Sequence, residues 1–168
     1  MPYHGASNSA DGETDLLSQT SEYALRAMSC LAYEPDRLTS TVELAEVTQV
    51  PSNYLAKVLQ SLAQAELIVG RRGVGGGYKL NRRPEEITLL DVINAISRVD
   101  RITACPLGLE NHSGRLCPLH RQLDQAAKLL IEHFGSVTLK DINTEPDAAR
   151  PLCDATRTAK VEMTINRG

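Results

Sequence analysis

The sequence predicts a mainly α fold with one small β-hairpin, organised as a winged helix-turn-helix domain followed by a long dimerisation helix. Three observations predict it: two short amphipathic helical segments joined through Thr48-Gln49-Val50, a basic glycine-rich hairpin directly after them, and a later apolar repeat at spacings of three and four. A chain of 168 residues has room for one domain with a real core and an appendage, and is short for two independent domains. The residues from Met1 to Thr14 are small and polar, unlike a signal peptide, and no apolar run approaches the roughly 20 residues that span a bilayer. A cytoplasmic protein without a membrane partner is therefore expected.

After a leader over residues 1–14, the winged domain is expected over 15–99. Thr20 is the expected N-cap of a first helix, whose stripe of Ala24, Ala27, Met28 and Leu31 recurs at helical spacing before Pro35 ends it. Ser40-Thr41-Val42-Glu43 has the form of a capping box and opens a second, short helix with Leu44, Ala45 and Val47. Pro51 starts the third helix, where its missing N–H costs little. Leu55, Val58, Leu59 and Leu62 line the inner face of that helix, leaving Ser52, Asn53, Tyr54, Lys57 and Gln60 outside. Ala45, Val50 and Leu55 would lock the pair into the geometry that lays a second helix in the major groove.

The wing follows. Leu67-Ile68-Val69 and Tyr78-Lys79-Leu80 are β-prone and flank Gly70-Arg71-Arg72-Gly73-Val74-Gly75-Gly76-Gly77. Glycine lets such a tip approach a phosphate backbone closely, while Arg71 and Arg72 supply charge and donors. The glycine run is not a nucleotide-binding loop, because no Gly-Lys-Ser/Thr follows and Tyr78 stands where a dinucleotide fingerprint needs its last glycine. Charge agrees with this layout. The net charge is −3, yet residues 51–83 carry six bases against one acid, whereas residues 1–50 carry eight acids against two bases.

Beyond the wing, Ile87-Thr88-Leu89-Leu90-Asp91 reads as staple, N-cap and acidic third position of a helix with Leu89, Val92, Ile93 and Ile96 on one face. A loop over 100–116 leads to a helix and return segment over 117–142. Leu116, Leu119, Leu123, Ala126 and Leu130 form a short heptad seam that calls for a second copy of the chain or for its own domain. Residues 143–168 are polar, contain Pro146 and Pro151, and read as a flexible tail.

Four stretches carry a resemblance: Ser21 to Met28, Pro51 to Leu62, the wing from Arg71 to Tyr78, and Cys117-Pro118-Leu119-His120. Together with the acidic linker and the Ile-Thr-Leu-Leu-Asp-Val-Ile helix start, they resemble the IscR/NsrR/CymR-type winged-helix regulators of the Rrf2 family over residues 15–142. The resemblance implies a homodimer on double-stranded operator DNA. It implies that Ser52, Asn53, Tyr54 and Lys57 enter the major groove and that Arg71, Arg72, Gly73, Gly75, Gly76, Gly77 and Tyr78 meet the backbone or the minor groove.

Many members of that family hold an iron–sulfur cluster on three cysteines before the dimerisation helix, and use it to sense iron–sulfur status, nitric oxide or redox state. Here Cys105 and Cys117 match the outer two, the middle position is Asn111 with His112 beside it, and His120 matches a fourth-ligand position of one branch. The resemblance thus implies a [2Fe–2S] cluster on Cys105, Cys117, His112 and His120 as the one candidate cofactor, a set that would also suit zinc. Two readings stand beside it: a Cys105–Cys117 disulfide switch, and partly buried thiols in a member that has lost its cluster. Cys30, beside the first helix's stripe, reads as a small core hydrophobe, and Cys153 falls in the tail. Ligation or oxidation in the loop would reposition the dimerisation helix and change the spacing of the two recognition helices. No convergent nucleophile, base and orienter can be placed, so an enzyme is not expected. A dimeric winged-helix adaptor without sequence-specific DNA affinity is the alternative to a regulator.

Overall fold

The computed structural model describes residues 16–105, 116–144 and Pro151, so the leader 1–14, Asn111, His112, Cys153 and most of the tail lie outside the described residues. Among the described residues, six helices and one antiparallel hairpin follow in the order α1 (Gln19–Tyr33), α2 (Thr41–Thr48), α3 (Ser52–Gln64), β1 (Ile68–Arg71), β2 (Gly77–Leu80), a 3-10 turn at Pro84–Glu86, α4 (Leu89–Ile96), α5 (Pro118–Ser136) and α6 (Leu139–Thr144). The mainly α class with a small hairpin is thus the observed one.

Helix α1 begins earlier than expected. Ser18, not Thr20, is its N-cap: its backbone is extended and its Oγ accepts the Ser21 N–H at 3.2 Å. Both residues are good caps, and the choice falls to the one that lets Ser21, at 1% exposure, join the buried stripe of Ala24, Ala27, Met28 and Leu31. Helix α2 is capped by Ser40, whose Oγ accepts the Glu43 N–H at 3.2 Å. The expected reciprocal half of that box is replaced by an ion pair, because Arg37 lies 2.8 Å from the Glu43 carboxylate. The turn to α3 is made at Gln49, which takes the left-handed conformation (φ 57°, ψ 31°), and at Pro51, which caps α3 with its carbonyl alone.

The core is one cluster. Leu55, Val58, Leu59 and Leu62 of α3 pack with the α1 stripe, Leu44, Val50, Leu67, Leu80, Ile87 and Val92, all buried. Each buried Leu, Ile, Val or Met side chain contributes about 1.5–3 kcal/mol, which fixes which face of α3 can point outward.

The hairpin pairs Ile68 with Leu80, Val69 with Lys79, Gly70 with Tyr78 and Arg71 with Gly77, so both strands reach one or two residues further into the glycine segment than the β-prone runs alone indicate. It is tied to the body by an isolated antiparallel bridge: Thr39 and Tyr78 exchange two backbone bonds of 2.9 Å. Gly77 allows that approach. A Cβ there would stand 2.4 Å from the Thr39 carbonyl oxygen. In the hairpin itself the Tyr78 ring covers Gly70, where a Cβ would meet the ring at 2.9 Å.

Thr88 caps α4 in a full capping box with Asp91. Leu89 N–H donates to Val137 O and Leu139 N–H to Ile87 O, both at 2.9 Å, which returns the chain to the domain after α5. Leu139 is fully buried and α6 continues through Thr144, past the expected start of the tail. Its Asn143 side chain accepts the Ser29 hydroxyl at 2.8 Å and donates to the Ser29 carbonyl at 3.0 Å. Helix α5, with 19 residues about 28 Å long, has no buried residue, and Leu119 and Leu123 of the seam are 64% and 48% exposed.

Candidate nucleic-acid interface

Helix α3 presents two unlike faces. Its inner residues are fully buried, while Ser52, Asn53, Tyr54, Lys57 and Gln60 are all exposed. No side chain caps its N-terminus, since the Pro51 ring carries no hydrogen-bond acceptor. Helix geometry therefore leaves the first N–H groups of α3, those of Ser52 and Asn53, without a carbonyl partner, at the positive end of the helix dipole. Such an end suits a phosphate oxygen, and the polar side chains of its first two turns suit base edges.

Two residues that sequence reasoning had not singled out stand beside this face. Tyr23 of α1 meets the Tyr54 ring edge-on, with centroids 6.4 Å apart and planes at 66°. The Arg26 guanidinium lies 5.8 Å from the Tyr23 ring centroid and is held by Glu22 at 2.7 Å. The spacing Glu22-x-x-x-Arg26 is a local signal for that ion pair, whereas the contact with Tyr54 joins two helices and leaves no mark on either.

The wing carries the second half of the candidate interface. Arg71 Nη2 donates to the Gly75 carbonyl at 3.0 Å, so this side chain shapes the tip as well as charging it. Gly76 sits where a Cβ would fall 2.3 Å from the Arg71 carbonyl oxygen, and only a glycine permits that fold of the tip. Arg72 and Val74 stand exposed at the end, with Gly73 and Gly75 between and beside them, and Tyr78 anchors the base. Arg83, counted with the basic segment, is neutralised locally by Glu85 and Glu86. Its guanidinium hydrogen bond holds the Glu86 carboxyl below the usual carboxylate range.

The proposed sensor residues are partly in view. Cys105 and Cys117 are both half-buried, and no disulfide joins them. Cys117 is the N-cap of α5, and its Sγ lies 3.3 Å from His120 Nδ1, one turn along the helix. Among the described residues no group of three or more His, Cys, Asp or Glu side chains is assembled. The first leg of the loop is fastened to α5. Arg101 grips Asp124 with two bonds of 2.6 Å, and the Ile102 N–H adds a third at 3.0 Å. The Arg101 guanidinium, followed by the Ile102 amide, holds the Asp124 carboxyl below its ordinary range.

Residues 17–145 match the family model Rrf2, described as an iron-dependent transcriptional regulator. The HTH-type transcriptional regulator BadM of Rhodopseudomonas palustris is 42% identical over 132 residues, covering 77% of this chain and 84% of that protein. Among solved structures, CymR, the global cysteine regulator of B. subtilis, superposes with a TM-score of 0.63 at 27% identity, over 78% of this chain and 98% of its own. The fold of T. potens IscR is also similar, with a TM-score of 0.64 at 24% identity over 83% of this chain and 94% of its own. No described helix is long and apolar enough to cross a membrane.

Proposed function

The chain belongs to the Rrf2 family of transcriptional regulators, and from that premise we propose that it binds operator DNA sequence-specifically as a homodimer and represses transcription. The observation that carries this reading is α3. Its apolar face is committed to the core, so its polar face with Ser52, Asn53, Tyr54 and Lys57 is left to meet an external partner. In this reading α3 lies in the major groove, Arg71, Arg72 and the glycine tip track the adjoining backbone or minor groove, and Tyr78 holds the wing's base against Thr39. Two copies join along Leu116, Leu119, Leu123, Ala126 and Leu130 of α5 and its approach. The exposure of Leu119 and Leu123 in the single chain supports that pairing. Repression requires nothing beyond occupancy of the duplex.

Sensing is proposed for the loop between Cys105 and Cys117. One end of it is tied to Asp124 through Arg101 and Ile102, and the other is the N-cap of α5, so a change at either thiol pulls on the helix that spaces the two recognition helices. A [2Fe–2S] cluster on Cys105, Cys117, His120 and His112 needs four donors. Cys117 Sγ and His120 Nδ1 already lie side by side at 3.3 Å, and His112 lies outside the described residues.

The test is the salt dependence of DNA affinity in Lys57→Ala and Arg72→Ala. A residue on a phosphate lowers the slope of log K against log salt by about one unit, and a residue on a base relaxes preference at one position by about 1–3 kcal/mol. If both variants keep the wild-type slope and preference, the interface is elsewhere. A folded wild-type protein that binds no member of a random duplex library is an adaptor.

A further inference from the structure

Tyr54 does not stand alone on the outer face of α3. The ring of Tyr23 supports it from α1, and Arg26, nearly one turn further along, lies against Tyr23. Arg26 is itself held from two sides, its Nε donating to Glu22 at 2.7 Å and its Nη1 to the Thr48 carbonyl at 3.4 Å. Thr48 is the last residue of α2 and Tyr54 lies in the first turn of α3. A continuous relay of Thr48, Arg26, Tyr23 and Tyr54 therefore bridges the outside of the turn between the two helices. Its members on α1 are half-buried, which strengthens both the charge-assisted bond and the contact of cation with ring. A tyrosine on a bare helix surface samples several rotamers, and ordering it on binding costs affinity.

We infer that Tyr23 and Arg26 are positioning residues that preset the Tyr54 ring for reading DNA, so that part of the specificity of this surface resides in α1. The inference rests on the reading that Tyr54 enters the groove.

The experiment is a double-mutant cycle in the intact protein, using a duplex selected by the wild type from a random library and a scrambled duplex of equal length. Tyr54→Leu, which removes a base-edge contact, is expected to lower affinity for the selected duplex about tenfold. Tyr23→Leu and Arg26→Gln are expected to lower it several-fold while leaving the scrambled duplex and the salt slope unchanged, and Tyr23→Phe to match the wild type. Combined with Tyr54→Leu, neither adds a further loss beyond twofold. Additive losses overturn the inference, as does a slope lowered by about one unit in Arg26→Gln, which would make Arg26 a phosphate contact instead. Should Tyr23→Leu fail to fold, the Arg26→Gln cycle carries the same comparison. If Tyr54→Leu itself binds as tightly as the wild type, the placement of Tyr54 in the groove fails first, and the inference falls with it.

Discussion

Gly77→Ala is expected to detach the wing without touching its charges. The new Cβ would stand 2.4 Å from the Thr39 carbonyl oxygen and 2.6 Å from its carbon, both backbone atoms that cannot rotate away. Restoring an ordinary contact moves Thr39 by about 1 Å, which stretches the two 2.9 Å bonds between Thr39 and Tyr78 beyond hydrogen-bonding range. Each bond contributes about 0.5–1.5 kcal/mol net. Thr39 is only 6% exposed, so its freed groups are poorly hydrated, and the positive φ of 157° adds strain for alanine. The sum is about 2–4 kcal/mol, a large share of the 5–15 kcal/mol typical of a domain. Urea unfolding gives the total, and amide hydrogen exchange at Thr39 and Tyr78 locates it. Stability within about 0.5 kcal/mol of the wild type, with both amides still protected, would refute the reasoning.

Three further outcomes are expected. Asn143→Ala strands the buried Ser29 hydroxyl and lowers unfolding free energy by about 1–3 kcal/mol, measured in urea; a change within error would mean α6 is not held by this pair. Because the folded-state pKa of Asp124 is depressed by Arg101, the clamp contributes above the ordinary carboxylate range and is lost as pH falls through the lowered value; an NMR titration should show the Asp124 midpoint rise in Arg101→Ala, and an unchanged midpoint would contradict the clamp. Leu123→Glu places a charge in the middle of the α5 seam; light scattering should show a monomer with unchanged far-UV circular dichroism, and affinity for a two-half-site duplex should fall about a hundredfold.

The parts of this fold written in short-range pattern were legible in the sequence. The α1 and α3 stripes follow from a spacing of three and four, the Thr88 and Asp91 box from two residues three apart, and the wing from glycines between β-prone runs. What the pattern did not carry is long-range. The Thr39 bridge to Tyr78 uses backbone groups, which have no residue signature, and Glu43 turns from its own helix terminus to Arg37 because a nearby cation competes with the box. Helix α6 is only six residues long and polar on most of its surface, so its attachment through Leu139 and Asn143 is invisible to periodicity. The same holds at the interface. Exposed polar positions on α3 follow from the buried ones, but the support that Tyr23 and Arg26 give to Tyr54 depends on how α1 crosses α3.

The most direct test of the central claim is a hydroxyl-radical footprint of the wild-type protein on a duplex selected from a random library. A dimer reading two major-groove half-sites through α3 predicts two symmetric protected patches, centred about 34 Å or a multiple of it apart along the duplex. A single patch, or protection equal on a scrambled duplex, would contradict it.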